Sequence, residues 1–137
     1  MNCRIINFGV HVDSRGSLVS LEGNKNIPFE IKRVYYIYDA KTDMERGKHA
    51  HRELEQLIVC LNGSCVFVLD DGKVRESVEL DSPNLGLYIG KNTWREIRDF
   101  SKDCILMVLA NKYYDENEYI RDYNEFLGIS LNNVGVQ

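Results

Sequence analysis

The chain has 137 residues, 44% of them apolar, which is enough for one domain built on one sizeable core. Its 17 Lys and Arg stand against 21 Asp and Glu, a formal net charge of −4. That balance argues against a reader of nucleic-acid phosphates, which needs clustered cations, but leaves room for a small anionic ligand met by a few local ones. No apolar run approaches the roughly 20 residues that span a bilayer, and the N-terminus lacks the basic start and apolar stretch of a secretory signal, so a cytoplasmic protein without membrane or nucleic-acid partners is expected.

Strand signals fill most of the chain. Residues 4–8 read as a short first strand and residues 18–22 alternate as a second. Residues 31–38 are β-branched and aromatic, as a sheet strand should be. Residues 57–61 lead into Asn62-Gly63, with 65–69 beyond; Asn-Gly between two such runs predicts a hairpin, because both turn residues tolerate positive φ. Asp71-Gly72 predicts another, into residues 74–80. After the turn at Ser82-Pro83-Asn84, residues 85–89 make a short strand, and residues 94–97 and 104–110 close the series. Many short strands at nearly regular spacing predict an all-β sandwich or barrel. The C-terminus changes period. Asp115 followed by Glu118 resembles a capping box, Tyr119, Ile120, Tyr123, Phe126 and Leu127 recur at helical spacing, and Gly128 suits a stop. One amphipathic helix packed on the barrel is expected there.

Four cysteines occur, Cys3, Cys60, Cys65 and Cys104, none in a C-x-x-C pair. Cys60, Cys65 and Cys104 sit in apolar runs, where a free thiol behaves as a small hydrophobe. The chemistry lies instead in Arg46-Gly47-Lys48-His49-Ala50-His51. On an extended strand, residues two apart share a face, so His49 and His51 point the same way, roughly 7 Å apart at Cα. Two imidazoles on one face suit proton transfer at neutral pH, for which abstraction beside a carbonyl is the natural task. Arg15, Arg33, Arg46 and Arg95 lie on strands or at strand ends, and guanidinium forks match diphosphate oxygens. Arg33 and Tyr35 share a face of their strand, and Tyr35 has a phenol to donate to a developing oxyanion. Tyr36, Tyr38, Tyr113 and Tyr114 read as packing residues.

The histidine segment resembles the first cupin motif, H-x-H followed by Glu and Gly, here His49, His51, Glu55 and Gly63 with one extra residue before the glycine. Metal-binding cupins complete the ligand set with a histidine from a second motif. In the corresponding stretch, residues 81–97, this chain carries Trp94 and Arg95 instead, and its only other histidine is His11. A cation beside Arg95 is disfavoured, so no metal and no cofactor are expected.

More segments, in order, resemble the dTDP-4-oxo-6-deoxy-glucose 3,4-ketoisomerases, the WxcM-like sugar 3,4-oxoisomerases of the cupin superfamily. They are Asp13-Ser14-Arg15-Gly16-Ser17-Leu18, Asn26-Ile27-Pro28-Phe29, Ile31-Lys32-Arg33-Val34-Tyr35-Tyr36-Ile37, the histidine segment, Val59-Cys60-Leu61-Asn62-Gly63-Ser64, Gly86-Leu87-Tyr88-Ile89-Gly90 and Tyr113-Tyr114-Asp115-Glu116. The resemblance implies a single cupin jelly-roll barrel with one C-terminal helix, a homodimer with exchanged N-terminal strands, and a dTDP-linked 4-keto-6-deoxy sugar as substrate. It implies that His49 is the base at C3, His51 its partner, Tyr35 a neighbour of the sugar, and Arg15, Arg33, Arg46 and Arg95 nucleotide-sugar contacts. The product is a 3-keto sugar destined for a 3-amino-3,6-dideoxy sugar; Arg15 and Ala50 resemble the galacto-forming group, Arg95 the gluco-forming one. Two other readings remain beside it: a metal-dependent cupin oxygenase, and a non-catalytic sugar-nucleotide-binding module, against which the paired histidines weigh.

Overall fold

A computed structural model describes residues 1–135, with side chains to residue 131. In chain order the elements are β1 (Cys3–Asn7), β2 (His11–Asp13), β3 (Gly16–Leu18), β4 (Arg33–Ile37), β5 (Arg46–His51), β6 (Gln56–Asn62), β7 (Cys65–Asp70), β8 (Arg75–Leu80), β9 (Leu85–Ile89), β10 (Trp94–Arg98), β11 (Ile105–Ala110), β12 (Tyr119–Ile120) and α1 (Tyr123–Gly135). Two five-stranded antiparallel sheets, ordered β1-β9-β6-β11-β4 and β12-β5-β10-β7-β8, face each other as a jelly roll, and β2 and β3 form a separate hairpin.

Inward residues of both sheets make the core, among them Ile58, Phe67, Leu69, Leu87, Ile89, Leu106 and Val108. The period-2 pattern sets the faces: on β4, Arg33, Tyr35 and Ile37 turn inward while Val34 and Tyr36 are exposed. Cys60, Cys65 and Cys104 are buried in this core, their sulfurs within 4.8 Å of one another.

The expected strand over residues 18–22 is not a strand beyond Leu18. The Asn26 side chain takes the local backbone: its Nδ2 donates to the Ser20 carbonyl and its Oδ1 accepts from Glu22 N–H, an alternative to a sheet ladder. The segment serves as a lid on the outer face of the first sheet, where Val19, Leu21, Ile27 and Phe29 pack on Leu57, Val59, Tyr88 and Leu109. This is why β6 is apolar on both faces.

Asn62-Gly63 is not a hairpin turn either. β6 pairs with β9 and β11, whereas β7 pairs with β8 and β10, so the chain crosses between sheets there. Gly63 has a φ of +72°, and Ser64 and Ser101 exchange hydrogen bonds that pin the crossing. Asp71-Gly72 does join a paired hairpin, with Gly72 at φ +93°.

The C-terminal helix begins later than the periodicity predicts and runs past Gly128. Asp115 caps only a 3₁₀ turn, Glu116–Glu118, accepting from Asn117 N–H. The Glu118 carboxylate accepts from Glu53 N–H and from Lys112 rather than closing a capping box. Tyr119 and Ile120 then add β12 to the edge of β5, and Asp122 caps α1 through Asn124 N–H. Tyr123 and Phe126 of α1 pack with Trp94 and Ala50 on the outer face of the second sheet. The helix therefore braces the sheet that carries the histidines.

Candidate active site

His49 and His51 project from β5 into one mouth of the barrel, their rings 4.7 Å apart and edge to face. Across the ladder on one side, Arg95 of β10 lies directly opposite His49; on the other, Tyr119 of β12 lies opposite His51. The Tyr119 ring sits 5.0 Å from His49 and 4.6 Å from His51 and is itself covered by Arg121, 4.3 Å above its face. The ladder between β5 and β10 shifts register between Arg46 and His49, where Gly47 sits at φ +66°. A Cβ there would meet Ile97 at 3.1 Å, so glycine suits both the backbone and the space.

In front of the rings lies a cavity of about 420 Å³, lined by His49, Tyr35, Arg33, Arg46, Ile97, Tyr114, Tyr119 and Arg121 among others. His51 lies behind His49, 0% exposed, and among the described residues neither of its ring nitrogens is hydrogen-bonded. Buried Nε atoms of Arg33 and Arg95 are also unpartnered. Such groups are costly unless something else satisfies them. Arg33, one of these residues, lines the cavity, which suits a polar ligand.

Electrostatics favour neutral imidazoles. Burial, then the Arg95 charge, then Arg121 pull the His49 pKa down to about 3. His51 is lowered further by burial, Arg95 and the neighbouring His49. Arg95 is 2% exposed, and burial lowers it only to about 10, so it stays charged. Among the described residues it is paired with no carboxylate: its guanidinium donates to Gln56 Oε1 and, at 3.0 Å, to the Thr93 carbonyl. Gln56 in turn donates through Nε2 to the Tyr35 hydroxyl at 3.0 Å. Burial raises the Tyr35 pKa while Arg95 opposes it, so the phenol keeps its proton.

Of the residues singled out from sequence, His49, His51, Tyr35, Arg33, Arg46 and Arg95 converge here. Arg15 does not. It lies on the β2–β3 hairpin, paired with Asp13 at 2.6 Å and with its side chain 88% exposed, beside a different cavity. Tyr114 belongs to the cavity wall rather than to packing, stacked with Arg33 at 5.6 Å, and Tyr36, Tyr38 and Tyr113 are exposed instead of packed. Sequence reading missed Tyr119 and Arg121, absorbed into the expected helix, and Gln56. Gln56 shares parity with the core residues Ile58 and Cys60. A polar residue on the core face of an apolar strand was the available signal.

The residues do not fit a cupin metal site. Both Glu55 carboxylate oxygens are committed elsewhere, accepting from Tyr88 and Asn111, and Arg95 holds a positive charge beside the histidines. A jelly roll of two antiparallel sheets with a pair of imidazoles turned inward is a cupin-type barrel. The family model described as "FdtA: WxcM-like, C-terminal" matches residues 1–130, and the chain belongs to that family. It is 59% identical over 126 residues, 92% of this chain and 91% of the relative, to a TDP-4-oxo-6-deoxy-alpha-D-glucose-3,4-oxoisomerase of Aneurinibacillus thermoaerophilus. A solved 3,4-ketoisomerase from Helicobacter canadensis superposes with a TM-score of 0.94 at 56% identity, covering 96% of this chain and 98% of that one. A histidine-to-asparagine variant of the QdtA 3,4-ketoisomerase of Thermoanaerobacterium thermosaccharolyticum, in complex with TDP-4-keto-6-deoxyglucose, superposes with a TM-score of 0.94 at 43% identity, covering 96% and 95%.

Proposed function

We propose that this protein is a 3,4-ketoisomerase acting on dTDP-4-keto-6-deoxyglucose, with His49 and His51 as its proton-transfer pair. The observation that carries the proposal is the His49 imidazole on a cavity walled by Arg33, Arg46 and Tyr35, with His51 packed edge to face behind it and Arg95 opposite it on the ladder. His49 removes the C3 proton while the Tyr35 hydroxyl protonates the oxygen at C4, giving a C3–C4 enediol. Loss of the proton on the C3 oxygen and reprotonation at C4 then leave the ketone at C3. One proton moves between carbons and one between oxygens, so no oxidant is needed. His51, behind His49, orients it and relays protons. The cationic wall stabilises the enediolate and holds the diphosphate. The bound diphosphate also offsets the charges that depress His49 and so raises its basicity in the complex.

The placement of Arg15 supports a homodimer. β4 is an edge strand with Val34 and Tyr36 exposed on its outer face, and the β2–β3 hairpin shows Val12 and Leu18 to solvent. In an exchanged dimer the hairpin covers that edge and delivers Arg15 to the other chain's cavity. Among the described residues no helix is long and apolar enough to cross a membrane, in keeping with a cytoplasmic biosynthetic role. We infer the galacto configuration from Arg15 and Ala50, which resemble the galacto-forming group, against Arg95, which resembles the gluco-forming one.

The test is NMR of the product formed in heavy water. The reading expects a 3-keto product carrying deuterium at C4; an unchanged substrate under conditions that saturate binding would overturn it.

A further inference from the structure

The hydroxyl of Tyr35 has its hydrogen-bonding role fixed by a chain of buried side chains that starts at Arg95. A guanidinium carries only donors, so the Gln56 side chain must turn its Oε1 to Arg95. The Gln56 amide nitrogen is thereby aimed at Tyr35, and an amide nitrogen also only donates. Tyr35 oxygen is therefore an acceptor in this pair, and its one proton has to go elsewhere. Among the described residues it donates to no protein group, and the phenol lines the cavity. The arrangement is sealed from water, since Gln56 and Arg95 are each 2% exposed. Arg95 is held in turn by the Thr93 carbonyl.

We propose that Gln56 is a positioning residue: clamped by Arg95, it forces Tyr35 to act as a hydrogen-bond donor toward the sugar's reacting oxygens. Gln56 itself touches no substrate. The same pair does a second job. It lets a permanent positive charge lie behind Tyr35 without a carboxylate that would accept the phenol proton or cancel the charge. This assignment rests on the ketoisomerase reading, but its first readout needs no turnover.

That readout is the ionisation of Tyr35 in the free protein, followed by tyrosinate absorbance with Tyr35→Phe as the blank. Arg33, Arg95 and Tyr119 are the other titratable groups facing the ring. Gln56→Met keeps the volume and removes the donor to the phenolate, so the Tyr35 pKa is expected to rise by about one unit, a typical neutral hydrogen bond. Gln56→Glu presents acceptors to both Arg95 and Tyr35 and takes the phenol proton for itself. With the nucleotide sugar as substrate, kcat is expected to fall about 10²-fold with KM within about threefold, the loss of one general acid. In a Tyr35→Phe background, Gln56→Glu should cost little more, because the two act as one unit. An unshifted Tyr35 titration in Gln56→Met overturns the proposal, as does full additivity of Gln56→Glu with Tyr35→Phe. A wild-type protein that fails to isomerise the sugar, with the titration shift still present in Gln56→Met, would sink the reaction assignment and leave the hydrogen-bond direction standing.

Discussion

His49 and Arg95 face each other across the β5–β10 ladder, a neutral imidazole beside a buried charge that no carboxylate neutralises. The pairing adds to burial in holding the His49 pKa well below the usual imidazole range. Burial is the larger cause and the guanidinium the next. Arg95→Gln keeps a hydrogen-bonding side chain and removes the charge, so the His49 pKa is expected to rise by about a unit or more, on ordinary Coulomb estimates at 4 to 6 Å in a protein. Addition of thymidine diphosphate to the wild type should move it in the same direction. Titration of the His49 Cε1 proton by NMR reads both, and a pKa indifferent to Arg95→Gln would show that burial alone sets it.

The depressed histidines also make the fold acid-sensitive. A histidine whose folded pKa lies below its unfolded value of about 6.5 binds fewer protons folded than unfolded across that gap. Stability therefore falls as pH drops from about 6.5 toward 3 at His49, and His51 acts in the same direction. The reach is on the order of a few kcal/mol, less what solvent at the cavity mouth screens. The lowered carboxylates, Asp13, Asp71, Glu96 and Glu118, lose their stabilisation only below about pH 4.5. Urea midpoints measured between pH 7 and 4.5 should fall steadily in the wild type and stay flat in the His49→Asn/His51→Asn double variant.

The proposed mechanism gives the two imidazoles separable roles. His49 reaches the cavity and His51 lies behind it, fully buried. His49→Asn should lower kcat by about 10²- to 10⁴-fold, the usual worth of a general base, and abolish exchange of the C3 proton with heavy water. His51→Asn should slow the overall reaction while leaving C3 exchange detectable, because a single base still reaches the carbon. Equal loss of exchange in both variants would assign the first proton transfer to the pair acting together.

What could be read from sequence follows a physical line. Alternation on β4 placed Arg33 and Tyr35 inward, and the i, i+2 relation put His49 and His51 together, because a strand's face is a local property. The hairpin at Asn62-Gly63 failed because a positive-φ glycine permits a reversal without saying which sheet the next strand joins. The helix start failed because Tyr119 and Ile120 satisfy both periods, and the choice was made by the open edge of β5, 68 residues earlier in the case of His51 and Tyr119. Tyr119, Arg121 and Gln56 owe their places in the site to such long-range pairings. Arg15 was identified as a ligand contact, yet within one chain it stands apart from the histidines.

That separation yields a discriminating experiment. If the β2–β3 hairpin is exchanged, each site takes His49 from one chain and Arg15 from the other. Arg15→Ala removes a diphosphate contact and should raise KM about tenfold, roughly the value of one charged hydrogen bond. At low substrate it then keeps about a tenth of the wild-type rate, and His49→Asn keeps almost none at any concentration. Unfolding and refolding an equal mixture of the two variants produces heterodimers in which one site carries both substitutions and the other carries neither. Activity at low substrate should then recover to about a quarter of wild type, half of the dimers being mixed and half of their sites intact. With no exchange, every site keeps one substitution and the activity of the mixture stays between those of its components.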